Sequence, residues 1–323
     1  MRQTVLVFRA LPEDLLARIG ASHEVIQADP RRPEQLEAFR AALPRVDGLI
    51  GSSVKLGRDE LAAADRLKVV SSISVGVDNY ELDYLRERGI QLCHTPGVLT
   101  ETTADTVFTL VMATCRRVVE LSNLVREGRW TRNIGEDLFG WDVNRKTLVI
   151  LGFGRIGQAV ARRAALGFGM KVVYVNDCEI DVAGLAGHVR RAPLDEALAC
   201  ADIVCVTLPL TDETRGLMGA REFGLMKRGA FFVNGARGPI VQEDALLAAL
   251  DSGHLQGAGL DVFAKEPLPL DSPLRTHARV TPLPHIGSAT HETRRAMAEL
   301  ATDNLLAALD GQRPAGLYDL GCA

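Results

Sequence analysis

Leu148-Val149-Ile150-Leu151-Gly152-Phe153-Gly154-Arg155-Ile156-Gly157 reads as a buried strand running straight into a Gly-x-Gly-x-x-Gly turn. Four consecutive apolar residues suit a parallel strand that is covered on both faces. A turn without side chains lets backbone N–H groups approach a pyrophosphate, and the helix behind it offers the positive end of its dipole. A helix over Gln158–Leu166 and a second strand at 170–175 complete a βαβ unit. Asp177 stands about 20 residues beyond Gly157, where a carboxylate accepts hydrogen bonds from a ribose hydroxyl. Such a carboxylate repels a 2′-phosphate, and no Arg lies within 175–179, so NAD(H) is expected ahead of NADP(H).

About 150 residues precede this turn, enough for another folded unit. With 323 residues the chain is expected to hold two domains. Short β-branched runs alternate with helical patterns throughout, which predicts two doubly wound α/β domains with parallel sheets. Early strands are expected at Val5–Phe8, Gly48–Ile50, Lys68–Ser71 and Ile90–Cys93. Helices are expected at Pro12–Ile19, Pro33–Ala42 and Arg58–Ala64, then one long helix from Glu101 to about Arg126. The rhythm restarts with strands at 147–151, 170–175, 201–207, 230–234, 257–262 and 279–281, and a helix at 289–310 follows the last. If that helix returns to the first domain, residues 1–99 plus 288–323 form a substrate domain and 100–287 a Rossmann cofactor domain. The cleft between two such domains is the expected binding site.

Several function classes are excluded by composition. A net charge of −4 and no basic run argue against a nucleic-acid partner. Arg31-Arg32, Arg116-Arg117 and Arg190-Arg191 are isolated pairs, read as solvated faces. No apolar run approaches the roughly 20 residues that span a bilayer, since Val107–Cys115 stops at Arg116, so no membrane partner is expected. The start, with Thr4–Phe8 strand-like and Glu13 and Asp14 close behind, does not read as a signal peptide. Six cysteines, Cys322 among them, show no Cys-x-x-Cys pairing and no companion histidines. Reduced thiols in the cytoplasm, and no metal, are expected.

Three polar residues follow late strands, at the carboxyl ends where parallel sheets bind ligands. Arg237 follows Phe231–Ala236, Glu266 follows Gly259–Lys265, and His285 follows Val280–Pro284. Each alone is unremarkable. Together they supply an acid to protonate a carbonyl, a cation to hold a carboxylate, and a partner to keep the acid charged.

Here the chain resembles the D-isomer-specific 2-hydroxyacid dehydrogenase family, and within it the glyoxylate/hydroxypyruvate/2-ketogluconate reductase branch. The matching stretches cover nearly the whole chain: 75–79, 95–105, the glycine turn, 208–214, 234–238, 259–263 with Glu266-Pro267, and 284–290. The resemblance implies a Rossmann domain inserted in a flavodoxin-like substrate domain. It also implies NAD(P)H-dependent reduction of a small 2-oxo acid. His285 would be the general acid, oriented by Glu266, and Arg237 would bind the 2-oxo acid. Val75, Gly76 and Leu99 would contact the substrate, Val75 and Gly76 through backbone N–H groups. Cofactor contacts would come from Thr103, Gly152, Gly154, Arg155, Ile156, Gly157, Asp177, Leu208, Pro209, Thr214, Asn234, Ala236, Asp261 and Gly287. Asp261 is expected either at the nicotinamide end or as a strand-end cap.

Departures from the pattern are informative. Asn176-Asp177-Cys178 stands where the reductase branch commonly has an Arg for NADP, and Glu266 stands where formate dehydrogenases carry Gln. The family implies a homodimer through the cofactor domain, with contacts near 101–145. The alternatives are a D-lactate or phosphite dehydrogenase of the same fold, or a non-catalytic NAD(H)-sensing corepressor.

Overall fold

The computed structural model describes residues 2–180, 182, 184–185 and 187–320, so Cys322 falls outside the described residues. The chain forms two compact units, Met1–Leu99 with Ala289–Ala323, and Thr100–Ser288. The first unit runs β1 (Thr4–Val7), α1 (Glu13–Ser22), β2 (Glu24–Gln27), α2 (Pro33–Ala42), β3 (Gly48–Gly51), α3 (Arg58–Leu61), β4 (Val69–Ser72), α4 (Leu82–Glu87) and β5 (Gln91–Cys93). The second begins with α5 (Thr100–Cys115), α6 (Val118–Arg126), β6 (Thr147–Leu151), α7 (Arg155–Arg162), β7 (Lys171–Val175) and β8 (Val189–Arg191). It continues with α8 (Leu194–Cys200), β9 (Ile203–Val206), α9 (Ala220–Leu225), β10 (Ala230–Asn234), α10 (Glu243–Asp251), β11 (Leu255–Leu260) and β12 (Val280–Pro282). Finally α11 (His291–Leu309) belongs to the first unit.

Both sheets are parallel. The first has the order β2-β1-β3-β4-β5, the flavodoxin-like arrangement, and the second β12-β11-β10-β9-β6-β7-β8. In the second the order reverses between β6 and β9, and the glycine turn leaves β6 at that switch point, where open α/β sheets bind ligands. The unbroken apolar run of β6 has a physical cause. Leu148 and Ile150 enter the core on one face and Val149 and Leu151 the core on the other, all with no exposure. In the first unit α11 lies on the sheet: Ser71 Oγ donates to the Ala301 carbonyl at 2.7 Å, and a β-carbon on Gly48 would meet Leu305 at 2.9 Å.

Three expectations are corrected. The single helix over 101–126 is two helices, broken at Arg116-Arg117. Arg117 takes a left-handed conformation, φ 53°, and its guanidinium bonds Glu120 and the carbonyls of Asp137 and Phe139, so it is not simply solvated, while Arg116 is exposed as expected. The returning chain caps the break: Trp141 N–H donates to the Cys115 carbonyl at 2.9 Å, and a β-carbon on Gly140 would stand 2.8 Å from that oxygen. The helix after the glycine turn starts earlier than expected, at Arg155, and ends in a π turn at Arg163–Gly167. Two edge strands, β2 and β8, escape the sequence reading because their half-exposed side chains show no apolar alternation.

Candidate active site

The glycine turn is shaped by close approach. Gly152 has φ 92°, and a β-carbon there would lie 2.8 Å from the Leu208 nitrogen. At Gly157 it would lie 2.3 Å from the Gly152 carbonyl oxygen, so this glycine lets α7 start directly against the turn. Gly154 differs: a β-carbon there meets nothing within 4 Å. Nothing in the protein requires glycine at 154, whereas a pyrophosphate approaching the backbone at the start of α7 does. The turn therefore fits a dinucleotide. Phe153 stacks on Tyr174 with centroids 3.9 Å apart, turning the intervening side chain inward, while Arg155 points to the surface and Ile156 is half-buried.

Beyond β7, Asn176 ties the second loop to the first by accepting the Phe153 N–H at 3.2 Å, and Asp177 is exposed. Arg191 is exposed, as expected, but its guanidinium is engaged. Its strand pairs with β7, placing Tyr174 opposite Arg191, and its guanidinium forks onto the carbonyls of Asn176 (2.8 Å) and Asp177 (2.6 Å). It lies 14 residues beyond Asp177 in sequence, and only strand pairing brings it there. Leu208 and Pro209 follow β9, and the Thr214 hydroxyl is held within the same loop. It accepts from Thr211 N–H at 2.8 Å and donates to the Pro209 carbonyl at 2.7 Å.

The three chemical residues converge at the carboxyl ends of β10, β11 and β12. Asn234, 1% exposed, uses its side chain to build the turn that carries Arg237, accepting from Ala236 N–H (3.0 Å) and donating to the Arg237 carbonyl (2.9 Å). A β-carbon on Gly238 would fall 1.8 Å from the Phe263 carbonyl carbon, so the Arg237 turn is pressed against the backbone leading to Glu266. Glu266 Oε1 accepts the Phe263 N–H at 3.0 Å, and Oε2 lies 2.7 Å from His285 Nδ1. Burial works to raise the Glu266 carboxyl. The hydrogen bonds from His285 and Phe263, with the charges of His285 and Arg237, outweigh it and hold the carboxyl below the usual range.

His285 itself has φ 54°, an uncommon conformation for a residue with a side chain. Asp261 holds it there. The Asp261 carbonyl accepts the His285 N–H (2.9 Å), and its carboxylate accepts the next two, Ile286 N–H on Oδ1 (2.7 Å) and Gly287 N–H on Oδ2 (2.8 Å). Asp261 is 1% exposed, and burial raises its carboxyl despite those two donors. Of the two expected roles, the geometry matches the strand-end cap, because both oxygens are taken by backbone. Thr103 on α5 and Gly287 are close neighbours of this carboxylate: a β-carbon on Gly287 would lie 3.2 Å from Asp261 Oδ2 and 3.4 Å from Thr103 Cγ2. Among the described residues His285 Nε2 has no hydrogen-bond partner, so one face of the imidazole is anchored and the other is available.

Val75, Gly76 and Leu99 belong to the first unit, on loops after β4 and β5. Leu99 is buried, at 8% exposure, and the N–H groups of Val75 and Gly76 donate to no acceptor among the described residues. Also among the described residues, no helix is long and apolar enough to cross a membrane.

Comparison with known proteins agrees with this geometry. Residues 108–287 match the family model of the D-isomer specific 2-hydroxyacid dehydrogenase, NAD binding domain. The glyoxylate/hydroxypyruvate reductase B of Cronobacter sakazakii is 49% identical over 311 residues, 96% of each chain. Among solved structures, the TT0316 protein of Thermus thermophilus superposes with a TM-score of 0.89 at 42% identity, covering 98% of this chain and 100% of that one. The NADPH-dependent glyoxylate/hydroxypyruvate reductase of Sinorhizobium meliloti, solved with NADP and malonate, gives 0.88 at 30% identity, covering 99% and 98%. This chain belongs to the D-isomer-specific 2-hydroxyacid dehydrogenase family, in its glyoxylate/hydroxypyruvate reductase branch.

Proposed function

We propose that the chain is an NAD(P)H-dependent reductase of small 2-oxo acids, forming D-2-hydroxy acids, with glyoxylate and hydroxypyruvate as its first substrates and 2-keto-D-gluconate next. The observation that carries this reading is the 2.7 Å bond between His285 Nδ1 and Glu266 Oε2, with the Arg237 charge felt at the same carboxylate. When bound, a reduced nicotinamide supplies the hydride. Arg237 holds the acid by its carboxylate and 2-oxo oxygen, and the Val75 and Gly76 N–H groups give the carboxylate further donors. As charge grows on the 2-oxo oxygen, His285 Nε2–H donates its proton there. Glu266 binds Nδ1–H throughout, so the imidazolium can release a proton from Nε2 alone. Asp261 keeps the ring aimed by fixing the backbone on both sides of it.

The cofactor is NAD(H) in preference to NADP(H): Asp177 opposes a 2′-phosphate, and Arg191 spends two of its donors on carbonyls. The active form is a homodimer joined through the second unit, because Val118, Val125, Trp130, Ile134 and Phe139 are all 53–60% exposed within one stretch. The described cysteines are unpaired, consistent with a cytoplasmic enzyme. The deciding experiment measures NADH and NADPH consumption with a panel of 2-oxo acids, for the wild type and for His285→Ala and Arg237→Ala. Turnover lost in both variants with NADH binding kept supports the reading. A wild type that binds NADH yet consumes none with any 2-oxo acid would instead be a sensor.

A further inference from the structure

His94 is a lone histidine directly after β5, and nothing in the chemistry above uses it. Its Nδ1 lies 3.0 Å from the Val75 carbonyl oxygen, and the next residue repeats the grip, Thr95 N–H donating to the Ser74 carbonyl at 2.9 Å. Because a carbonyl only accepts, Nδ1 carries the hydrogen of this bond.

The histidine is itself held from three sides. Its N–H donates to the Gly316 carbonyl (2.8 Å), and its carbonyl accepts from Asn304 Nδ2 (3.0 Å). Its ring meets Tyr318 edge-on, with centroids 5.2 Å apart and planes at 90°. Asn304, 1% exposed, closes the circuit by accepting the Gly316 N–H at 2.8 Å. A β-carbon on Gly316 would stand 2.1 Å from the His94 carbonyl oxygen, so the C-terminal segment seats directly on this residue.

The Val75 carbonyl and the Gly76 N–H belong to one planar trans peptide unit and point in opposite directions. Fixing that carbonyl therefore aims that N–H. We propose that His94 is a positioning residue for substrate binding: through the Val75 carbonyl it aims the Gly76 N–H at the carboxylate of the 2-oxo acid. This rests on the reading of Val75–Gly76 as the carboxylate-binding turn.

The test compares His94→Ala, His94→Gln, His94→Asn and Gly76→Pro in the full-length enzyme, reading KM and kcat for glyoxylate, NADH affinity and thermal melting. Loss of one neutral hydrogen bond to a carbonyl predicts KM for glyoxylate about five- to tenfold higher in His94→Ala and His94→Gln, with kcat and NADH affinity within about twofold. Asn places an N–H where Nδ1 stood and should restore KM to within about twofold. An unchanged KM in His94→Ala, or equal values for Asn and Gln, overturns the proposal. The Asn and Gln pair decides the matter if the Ala variant does not fold. Gly76→Pro deletes the N–H itself. If its KM is unchanged, the carboxylate-turn reading falls and this inference with it. If KM rises in Gly76→Pro but not in the His94 variants, only the role of His94 fails.

Discussion

Replacing Glu266 by Gln isolates the charge in the His285–Glu266 pair. Gln keeps an oxygen for the Phe263 N–H and nearly the same shape, so the loop has no reason to move. What it loses is a carboxylate 2.7 Å from His285 Nδ1. A hydrogen bond to a charged group contributes about 1.5–3 kcal/mol when well buried. The two side chains here are 46% and 36% exposed, so solvent screening brings the value down to about 1–1.5 kcal/mol. At 1.36 kcal/mol per tenfold, that is a loss of about five- to tenfold in the variant. The Glu266 carboxyl is held below its usual range, so its support for the cation is present above about pH 4 and is lost only on acidification through still lower values. The Glu266 charge therefore persists across a normal assay window. The assay follows kcat/KM for glyoxylate with NADH from about pH 3 to about pH 8. The variant should be slower by about five- to tenfold at neutral pH, a difference that narrows only on acidification below about pH 4, where Glu266 itself takes up a proton. A variant as fast as the wild type at neutral pH would refute the electrostatic argument. A loss equal at every pH would refute it too, and assign Glu266 to positioning alone.

Three further outcomes follow from the geometry. Gly154→Ala should melt like the wild type but bind NADH more weakly, since its β-carbon meets no protein atom; Gly157→Ala should lower Tm, because its β-carbon falls 2.3 Å from the Gly152 carbonyl. Equal melting of the two would contradict the assignment of separate roles. Asp177→Ala should narrow the preference for NADH over NADPH, read as the ratio of kcat/KM values, and an unchanged ratio would pass the selection to another group. Asp261→Asn sets an amide N–H against one of two backbone donors, costing about 1–3 kcal/mol. Tm should fall by several degrees, and kcat by more than NADH affinity as His285 leaves its left-handed conformation; a wild-type kcat would show that the cap does not aim the imidazole.

The parts of the fold legible beforehand are those whose local pattern and final burial agree. Thr147–Leu151 and Ala230–Asn234 read as strands because both faces of an inner parallel strand are covered, leaving a run with no polar interruption. Pro33–Ala42 was readable from its proline at the first turn and its helical spacing. Glu24–Gln27 and Val189–Arg191 were not, because an edge strand is held by one neighbour's backbone and needs no apolar face. The break at Arg117 was invisible for a related reason: every residue from 101 to 126 tolerates a helix, and what stops it is chain returning from 137–141.

The site divides in the same way. The sequence by itself determined the kinds of chemistry, namely a side-chain-free turn after a buried strand, an acid at the next strand end, and Arg237, Glu266 and His285 at three further strand ends. These are local properties, since strand order in a parallel sheet brings successive carboxyl ends to one edge whatever the details. Only the tertiary structure decided how those groups are aimed. That Asp261 caps the His285 loop and that Arg191 grips the backbone of Asp177 both depend on hydrogen bonds between residues far apart in sequence or on strand pairing. Orientation is a property of such contacts, and a pattern of residue types carries no direction.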